Sequence, residues 1–438
     1  RNAGADVSGE LVRFEPGMLR EILKTAPPEF TQLARNRENS VRIGGRNVVF
    51  APAYGSPFVM DLDKGRRYGT LEDFRNFIKL AQSSPWLHHS GGTICEPVDV
   101  PVNKRHLDMV YSLMTTSDKP FLGAITEKDR AQDSVNMARI LFGEDRMERD
   151  TVIMGNVNTN SPLMIDKVAS EAIEVYCGAG QGIVVVPFIL SGAMGPVSTA
   201  ASVAQAIAEG LACAAYSQIV RPGAPFVLGN FLSSMSLKSG APTFGMPEPV
   251  MSNYAIGQIA RHLGLPLRCG GSLSASKLPD AQAAAESADS MHSTALAGAN
   301  FVLHAAGWLE GGLVMSYEKL VIDADRLGMY ARMLGGLATD ENGLARSAYE
   351  EVAHAGHFLG SAHTMANYET AFYESPLSDS ESFEQWREGG EKDMQQRAFE
   401  YWNRLVGEYE RPAIDPATDE ALRAYMAKKK ESLPDQAY

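Results

Sequence analysis

From about residue 70 the 438-residue sequence repeats one unit: a stretch of helical period, a turn, a short unbroken apolar run, and a loop of glycine and polar residues. Helix-period segments at 71–82, 103–116, 129–142, 165–177, 200–220, 251–263 and 280–297 precede apolar runs at 87–95, 121–125, 151–157, 183–189, 226–231, 267–269 and 301–304. Helical patterns at 317–335 and 344–355 then lead to a weak run at 358–362. The runs are continuous rather than alternating, which marks strands buried on both faces of a parallel sheet. Seven units and a weak eighth predict an α/β fold, a (β/α)8 TIM barrel, because regular right-handed crossovers close on themselves. An open doubly wound sheet is the competitor. Against it, Gly178-Ala-Gly180-Gln-Gly182 precedes a strand instead of following one, and no GxxxxGK[ST] occurs.

Residues 1–69 read as a small N-terminal α/β cap. A helix at 19–25 ends at Pro27-Pro28, and a hairpin is expected across Gly44-Gly45 between 41–43 and 47–51. The barrel is placed at 70–382. A charged, helical C-terminal extension follows over 383–438, with helices at 383–408 and 419–431.

Forty Lys+Arg against 53 Asp+Glu give a net charge of −13, which argues against nucleic acid as a partner. With 45% hydrophobic and 21% charged residues the chain is not disordered. The most apolar stretches, 183–190 and 203–215, are too short or are broken by Gln205 and Glu209, so no membrane span is expected. Cys95, Cys177, Cys213 and Cys269 are scattered with no metal spacing, as expected of buried thiols in a cytoplasmic protein. The chain opens at Arg1 rather than methionine and runs straight into Val12-Arg13-Phe14, which reads as an incomplete N-terminus.

In a barrel the chemistry sits where strands end. The segments there are Cys95-Glu96-Pro97, Asn156-Val-Asn158-Thr-Asn160-Ser161-Pro162, Ser191-Gly-Ala-Met194-Gly-Pro196, Gly229-Asn230-Phe231, Gly270-Gly271-Ser272 and His304-Ala-Ala-Gly307-Trp308-Leu-Glu310-Gly-Gly312. They hold no metal cluster, strand-end lysine or nucleophile elbow. Each candidate has a plainer reading. Glu96 and Glu310 could cap a helix or pair an arginine. Asn156 and Asn158 could bond loop backbone. His304 could be a satisfied core histidine, and Trp308 and Phe231 could be core. Ser274-Ala-Ser-Lys277 matches SxxK without the partner motifs and reads as chance. His354, His357 and His363 match no metal spacing, and Glu351 with His354 gives one ExxH where a di-iron bundle needs two.

Five ordered stretches carry a resemblance: Gly91-Gly-Thr-Ile-Cys-Glu-Pro97, Val157-Asn-Thr-Asn-Ser-Pro-Leu163, Gly271–Glu286 with its Ser-Lys277…Pro-Asp280-Ala-Gln282 core, Gly298-Ala-Asn…Gly307-Trp-Leu-Glu-Gly-Gly312, and Gly356-His-Phe-Leu-Gly-Ser-Ala-His-Thr364. Together they span nearly the whole chain and resemble the trimethylamine methyltransferase family. The resemblance implies a TIM barrel that hands a methyl group to the cobalt of a corrinoid (cobalamin) on a separate corrinoid protein. Some members carry pyrrolysine. This sequence holds only standard residues, so it is similar to the branch that includes glycine betaine methyltransferases, with 300–310 the region that best matches the pyrrolysine segment.

That chemistry asks little of the enzyme's own reactive groups. A quaternary ammonium leaves as a neutral amine, so neither protonation nor a metal bound directly by this chain is needed, and the protein orients and desolvates. The resemblance makes His304, Glu310 and Asn158 the candidate catalytic residues. Tyr54, Phe231 and Trp308 would face the cation with their rings. Glu96 and Glu248 would add Coulomb attraction, and Asn156 would complete the substrate contacts. Gly270, Gly271, Gly311 and Gly312 would let the corrinoid approach. Expected partners are the corrinoid protein, a small betaine-like quaternary amine and a second copy of the chain in a homo-oligomer. A non-catalytic barrel binding a quaternary amine or a corrinoid is the alternative function.

Overall fold

The apolar runs do assemble in parallel. In the computed structural model, which describes residues 1–436, one six-stranded sheet has the order Val49–Pro52, Phe301–Ala306, Leu267–Gly270, Phe226–Gly229, Gly182–Val186, Met154–Asn158. Every neighbouring pair in it is parallel. Single backbone bonds extend the ladder. The His88 N–H donates to Phe50 O (3.0 Å), Ser90 N–H to Pro120 O (2.9 Å), Leu122 N–H to Gly91 O (2.8 Å) and Gly123 N–H to Met154 O (2.9 Å). Segments 88–91 and 120–123 thus bond to each other, and one reaches each edge strand of the sheet.

The strands are separated by helices whose apolar stripes pack outside. Leu71–Ser83 buries Phe74, Phe77, Ile78 and Ala81 at helical spacing, and a Thr70–Asp73 capping box satisfies its first free N–H groups. Asp166 caps Lys167–Gly178, and Asp280 caps Ala281–Leu296. Beyond the sheet the chain adds short pairings: Phe188–Ser191 runs parallel to Phe231–Met235, and Val314–Ser316 parallel to Phe58–Asp61.

Several elements differ from expectation. The Gly44-Gly45 region does turn tightly, with Asn47 N–H donating to Gly44 O (3.1 Å). Pairing across it stops at one antiparallel Gly44–Asn47 bridge: Val41–Gly44 pairs with Glu29–Gln32, whereas Val49–Pro52 joins Phe301–Ala306. Residues 358–362 are not a strand, since Phe358 and Leu359 are exposed and Ser361 caps the helix Ala362–Asn367. Val49–Pro52, from the N-terminal side, instead supplies an edge strand of the six-stranded sheet. The helix expected at 344–355 is broken by Ala345 at φ 47° into Glu341–Leu344 and Arg346–Glu351.

The C-terminal helices Met394–Gly407 and Pro416–Glu431 pack against the outer helices. Trp402 Nε1 donates to Glu318 (2.9 Å), Tyr425 Oη to Asp133 (2.6 Å), and Lys430 pairs with Asp108 (2.6 Å). No helix among the described residues is long and apolar enough to cross a membrane.

Candidate functional site

Strand alternation decides what lies inside the sheet. Val49, Ala51, Leu122, Met154, Val184, Val186, Val227, Phe301 and Leu303 form one inner cluster, with Tyr54 and Phe231 packed against it. Asn156 lies two residues beyond Met154 and shares its face. Phe231 stands likewise two and four residues beyond Gly229 and Val227 along the same path.

Above this layer the aromatic rings converge. The Phe231 centroid lies 5.4 Å from His304, 5.7 Å from Trp308, 6.5 Å from Phe244 and 5.1 Å from Phe188. His304 and Trp308 meet edge to face at 4.4 Å, and Phe244 stands 5.9 Å from Trp308. Sequence reasoning reached three of these rings by separate routes, and the fold puts them in one group.

His304 adopts φ 63°, a left-handed conformation rare for a residue with a side chain. Its Nδ1 accepts the Tyr54 N–H (3.1 Å), and its carbonyl accepts the Ser272 N–H (2.9 Å). Burial, reinforced by the charge of Arg268, holds the imidazole well below its ordinary range. The ring is therefore neutral, and since Nδ1 accepts, Nε2 carries the proton.

A buried ion pair supports the next turn. Lys319 Nζ lies 2.5 and 2.6 Å from the Asp323 carboxylate, whose Oδ2 accepts the Gly307 N–H (2.9 Å). Gly307 sits at φ 96°, and a Cβ there would meet Met315 at 2.4 Å, so the turn between His304 and Trp308 requires glycine.

Arg268 was not singled out by its sequence. It is the charged residue within Leu267–Gly270 and is 1% exposed. Its Nη1 donates to Asn230 O (3.0 Å), and the guanidinium lies 5.2 Å from the Phe231 centroid. Among the described residues its Nε–H has no hydrogen-bond partner, and the same holds for Trp308 Nε1–H and Asn156 Oδ1, all buried. Burial lowers Arg268 to about 10 with no carboxylate offsetting it, so it stays charged at neutral pH.

The acids behave differently. Glu96 pairs with Arg105 (2.8 Å), and Glu310 pairs with Arg66 (2.7 Å), which also covers the Phe58 ring at 3.6 Å. Glu248 stands in the first turn of Pro247–Leu263, with Ser234 Oγ 3.5 Å away. The arginine-pairing reading thus holds for Glu96 and Glu310. Glu96, Arg105 and Tyr54 instead line a neighbouring cavity of about 50 Å³ together with Thr93, His106 and Arg130. Asn158 is exposed at its strand end.

The glycines also need correction. Gly270 and Gly271 are buried: a Cβ would meet Leu273 at 2.7 Å and the Ala305 backbone at 2.6 Å respectively. They serve close packing and offer no outer surface. Gly311 and Gly312 lie nearer the surface, yet a Cβ on Gly312, at φ 99°, would meet the Trp308 indole at 2.4 Å.

Two buried acids that sequence reasoning passed over hold the strand-end loops. Glu209 accepts from Thr159 Oγ1 (2.5 Å), Ser161 Oγ (2.7 Å) and the Leu163 N–H (2.8 Å). Glu286 accepts from Ser274 Oγ (2.8 Å) and the Ala275 N–H (2.7 Å), which gives Ser274 of the SxxK match a structural partner. Lys277 is exposed and donates to Ala275 O (2.9 Å). These loops turn apolar side chains outward: Leu163, Met164, Val197, Leu237, Leu278 and Leu313 are all exposed. Among the described residues no three His, Cys, Asp or Glu gather to hold a metal ion. His363 Nε2 lies 2.8 Å from Asn342 O.

The trimethylamine methyltransferase family model matches residues 1–434. A glycine betaine methyltransferase of Desulfitobacterium hafniense (strain Y51) is 40% identical over all of this chain and 91% of its own length. A trimethylamine methyltransferase, MttB, of Desulfitobacterium hafniense (strain DSM 10664 / DCB-2) is 27% identical over 91% of this chain and 80% of its own. Among solved structures, the Methanosarcina barkeri monomethylamine methyltransferase superposes with a TM-score of 0.53 at 10% identity, over 92% of this chain and 82% of that one, which shows a shared fold. A parallel α/β sheet whose strand ends gather buried rings, and a family match over nearly the whole sequence, lead to one assignment: the chain is a methyltransferase and belongs to the trimethylamine methyltransferase family.

Proposed function

We propose that the protein removes a methyl group from a betaine-like quaternary amine and passes it to a corrinoid carried by a separate protein. The observation that carries this reading is the ring group of Phe231, His304, Trp308 and Phe244 at the strand ends. Aromatic faces attract a desolvated quaternary ammonium by about 0.5–2 kcal/mol each. The 40% identity to a glycine betaine methyltransferase supports the same substrate class.

The sheet is read as a closed (β/α)8 barrel with this site at its mouth. Bonds from 88–91 and 120–123 to both edge strands support closure. The exposed apolar rim of Leu163, Met164, Val197, Leu237, Leu278 and Leu313 suits the approach of a protein-borne planar group to the mouth. A reduced corrinoid supplies the nucleophile that takes the methyl group. This chain's residues desolvate the cation against the rings, fix one methyl toward the mouth and exclude water. The C–N bond breaks with its electron pair on nitrogen, so the amine leaves neutral and no acid is required. His304, neutral with Nε2 protonated, serves as a hydrogen-bond donor to the substrate.

The test is a panel of quaternary amines incubated with the enzyme and a reduced corrinoid protein, with the demethylated amine measured by chromatography. A tertiary amine formed only when all three components are present supports the reading. No product from any quaternary amine overturns it.

A further inference from the structure

Arg268 is a buried cation with no carboxylate beside it among the described residues. Its Nη1 donates to Asn230 O, while its Nε–H has no partner among the described residues. Leaving a buried charged donor unsatisfied is costly, and a guanidinium is shaped to meet a carboxylate. Trp308 Nε1–H, also buried and unpartnered, belongs to the same group: Phe231 lies 5.7 Å from the Trp308 ring and 5.2 Å from the Arg268 guanidinium. Acceptor-hungry donors and cation-binding faces therefore surround a single ring. That pairing suits a small molecule that carries an anion and a quaternary ammonium close together.

We propose that Arg268, assisted by the Trp308 indole N–H, binds the carboxylate of the substrate, so that the site selects zwitterionic betaines over quaternary amines lacking an acid group. This inference rests on the quaternary-amine reading above and adds its specificity determinant. Glu96 and Glu310, engaged with Arg105 and Arg66, leave Arg268 as the buried charge awaiting a partner.

The experiment is calorimetric binding of three ligands to the purified enzyme alone: glycine betaine, its methyl ester and tetramethylammonium. The wild-type enzyme should bind glycine betaine at least about tenfold more tightly than the ester, because a charged hydrogen-bonded pair is at stake. Arg268→Gln should weaken glycine betaine about tenfold or more and shift tetramethylammonium less than about threefold, with Arg268→Lys intermediate. Equal wild-type affinity for betaine and ester overturns the inference even if neither variant folds. Equal losses for betaine and tetramethylammonium in a folded variant also overturn it. If the wild-type enzyme binds none of the three, the quaternary-amine reading itself falls, and the inference with it.

Discussion

Replacing Asp323 with alanine should destabilise the protein by about 3–5 kcal/mol, the usual cost of removing one member of a buried ion pair. The structure sets this magnitude. Lys319 and Asp323 are 2% and 3% exposed, and the ammonium would keep only Ser287 Oγ at 2.9 Å and Ser272 O at 3.5 Å. The Gly307 N–H would lose its acceptor as well. Burial raises the Asp323 carboxyl to about 6 and lowers Lys319, so desolvation takes back much of what the pair gains. The double change Lys319→Met with Asp323→Leu should therefore cost less than Asp323→Ala alone, about 1–3 kcal/mol for the unpaired Gly307 N–H. Urea unfolding at pH 7, followed by circular dichroism for wild type, Asp323→Ala and the double variant, measures both losses. A double variant as unstable as Asp323→Ala, or a single-variant loss below about 1 kcal/mol, would refute the reasoning.

Three further outcomes are expected. Burial lowers His88 to about 4 and His89 to about 3, so both fold as neutral rings. Their contribution is complete above about 6.5 and is lost as pH falls toward 4 and 3, and His89→Gln should flatten the drop in urea midpoint between pH 7 and pH 5. Glu209→Ala should release the loop that follows Met154–Asn158, read as faster hydrogen exchange at 159–163 with little change in the sheet, whereas Glu209→Gln should retain part of the protection. Gly312→Ala should displace the Trp308 indole and weaken quaternary-amine binding in calorimetry, because its Cβ would lie 2.4 Å from that ring; unchanged affinity would count against Trp308 as a wall of the site.

The parallel α/β plan was legible because it lives in local pattern: buried strands read as continuous apolar runs, and helices such as Leu71–Ser83 show period and cap together. Strand order was less legible. Val49–Pro52 is as apolar as the others, but a glycine pair before it reads as a hairpin, and nothing local reveals a partner some 250 residues away at Phe301–Ala306. Within the site, rings and loops were found by their place after strands. Arg268 was missed because a lone charge inside an apolar run reads as strand composition until its burial is seen. Glu96 and Glu310 failed the other way: as acids at strand ends they look reactive, and only three-dimensional proximity brings Arg105 and Arg66 to them.

The pairing of Val49–Pro52 with Phe301–Ala306 also dictates an order of events during synthesis. The first of these strands to leave the ribosome cannot find its neighbour until roughly 250 further residues have been made, about 12–50 s at about 5–20 residues per second. Through that interval the growing sheet carries a bare, strongly apolar edge, the kind of edge that recruits strands from other chains. A nascent chain stalled before residue 301 would keep that edge exposed indefinitely. Slow translation through the second half of the message should thus raise the demand for chaperones without altering the finished enzyme.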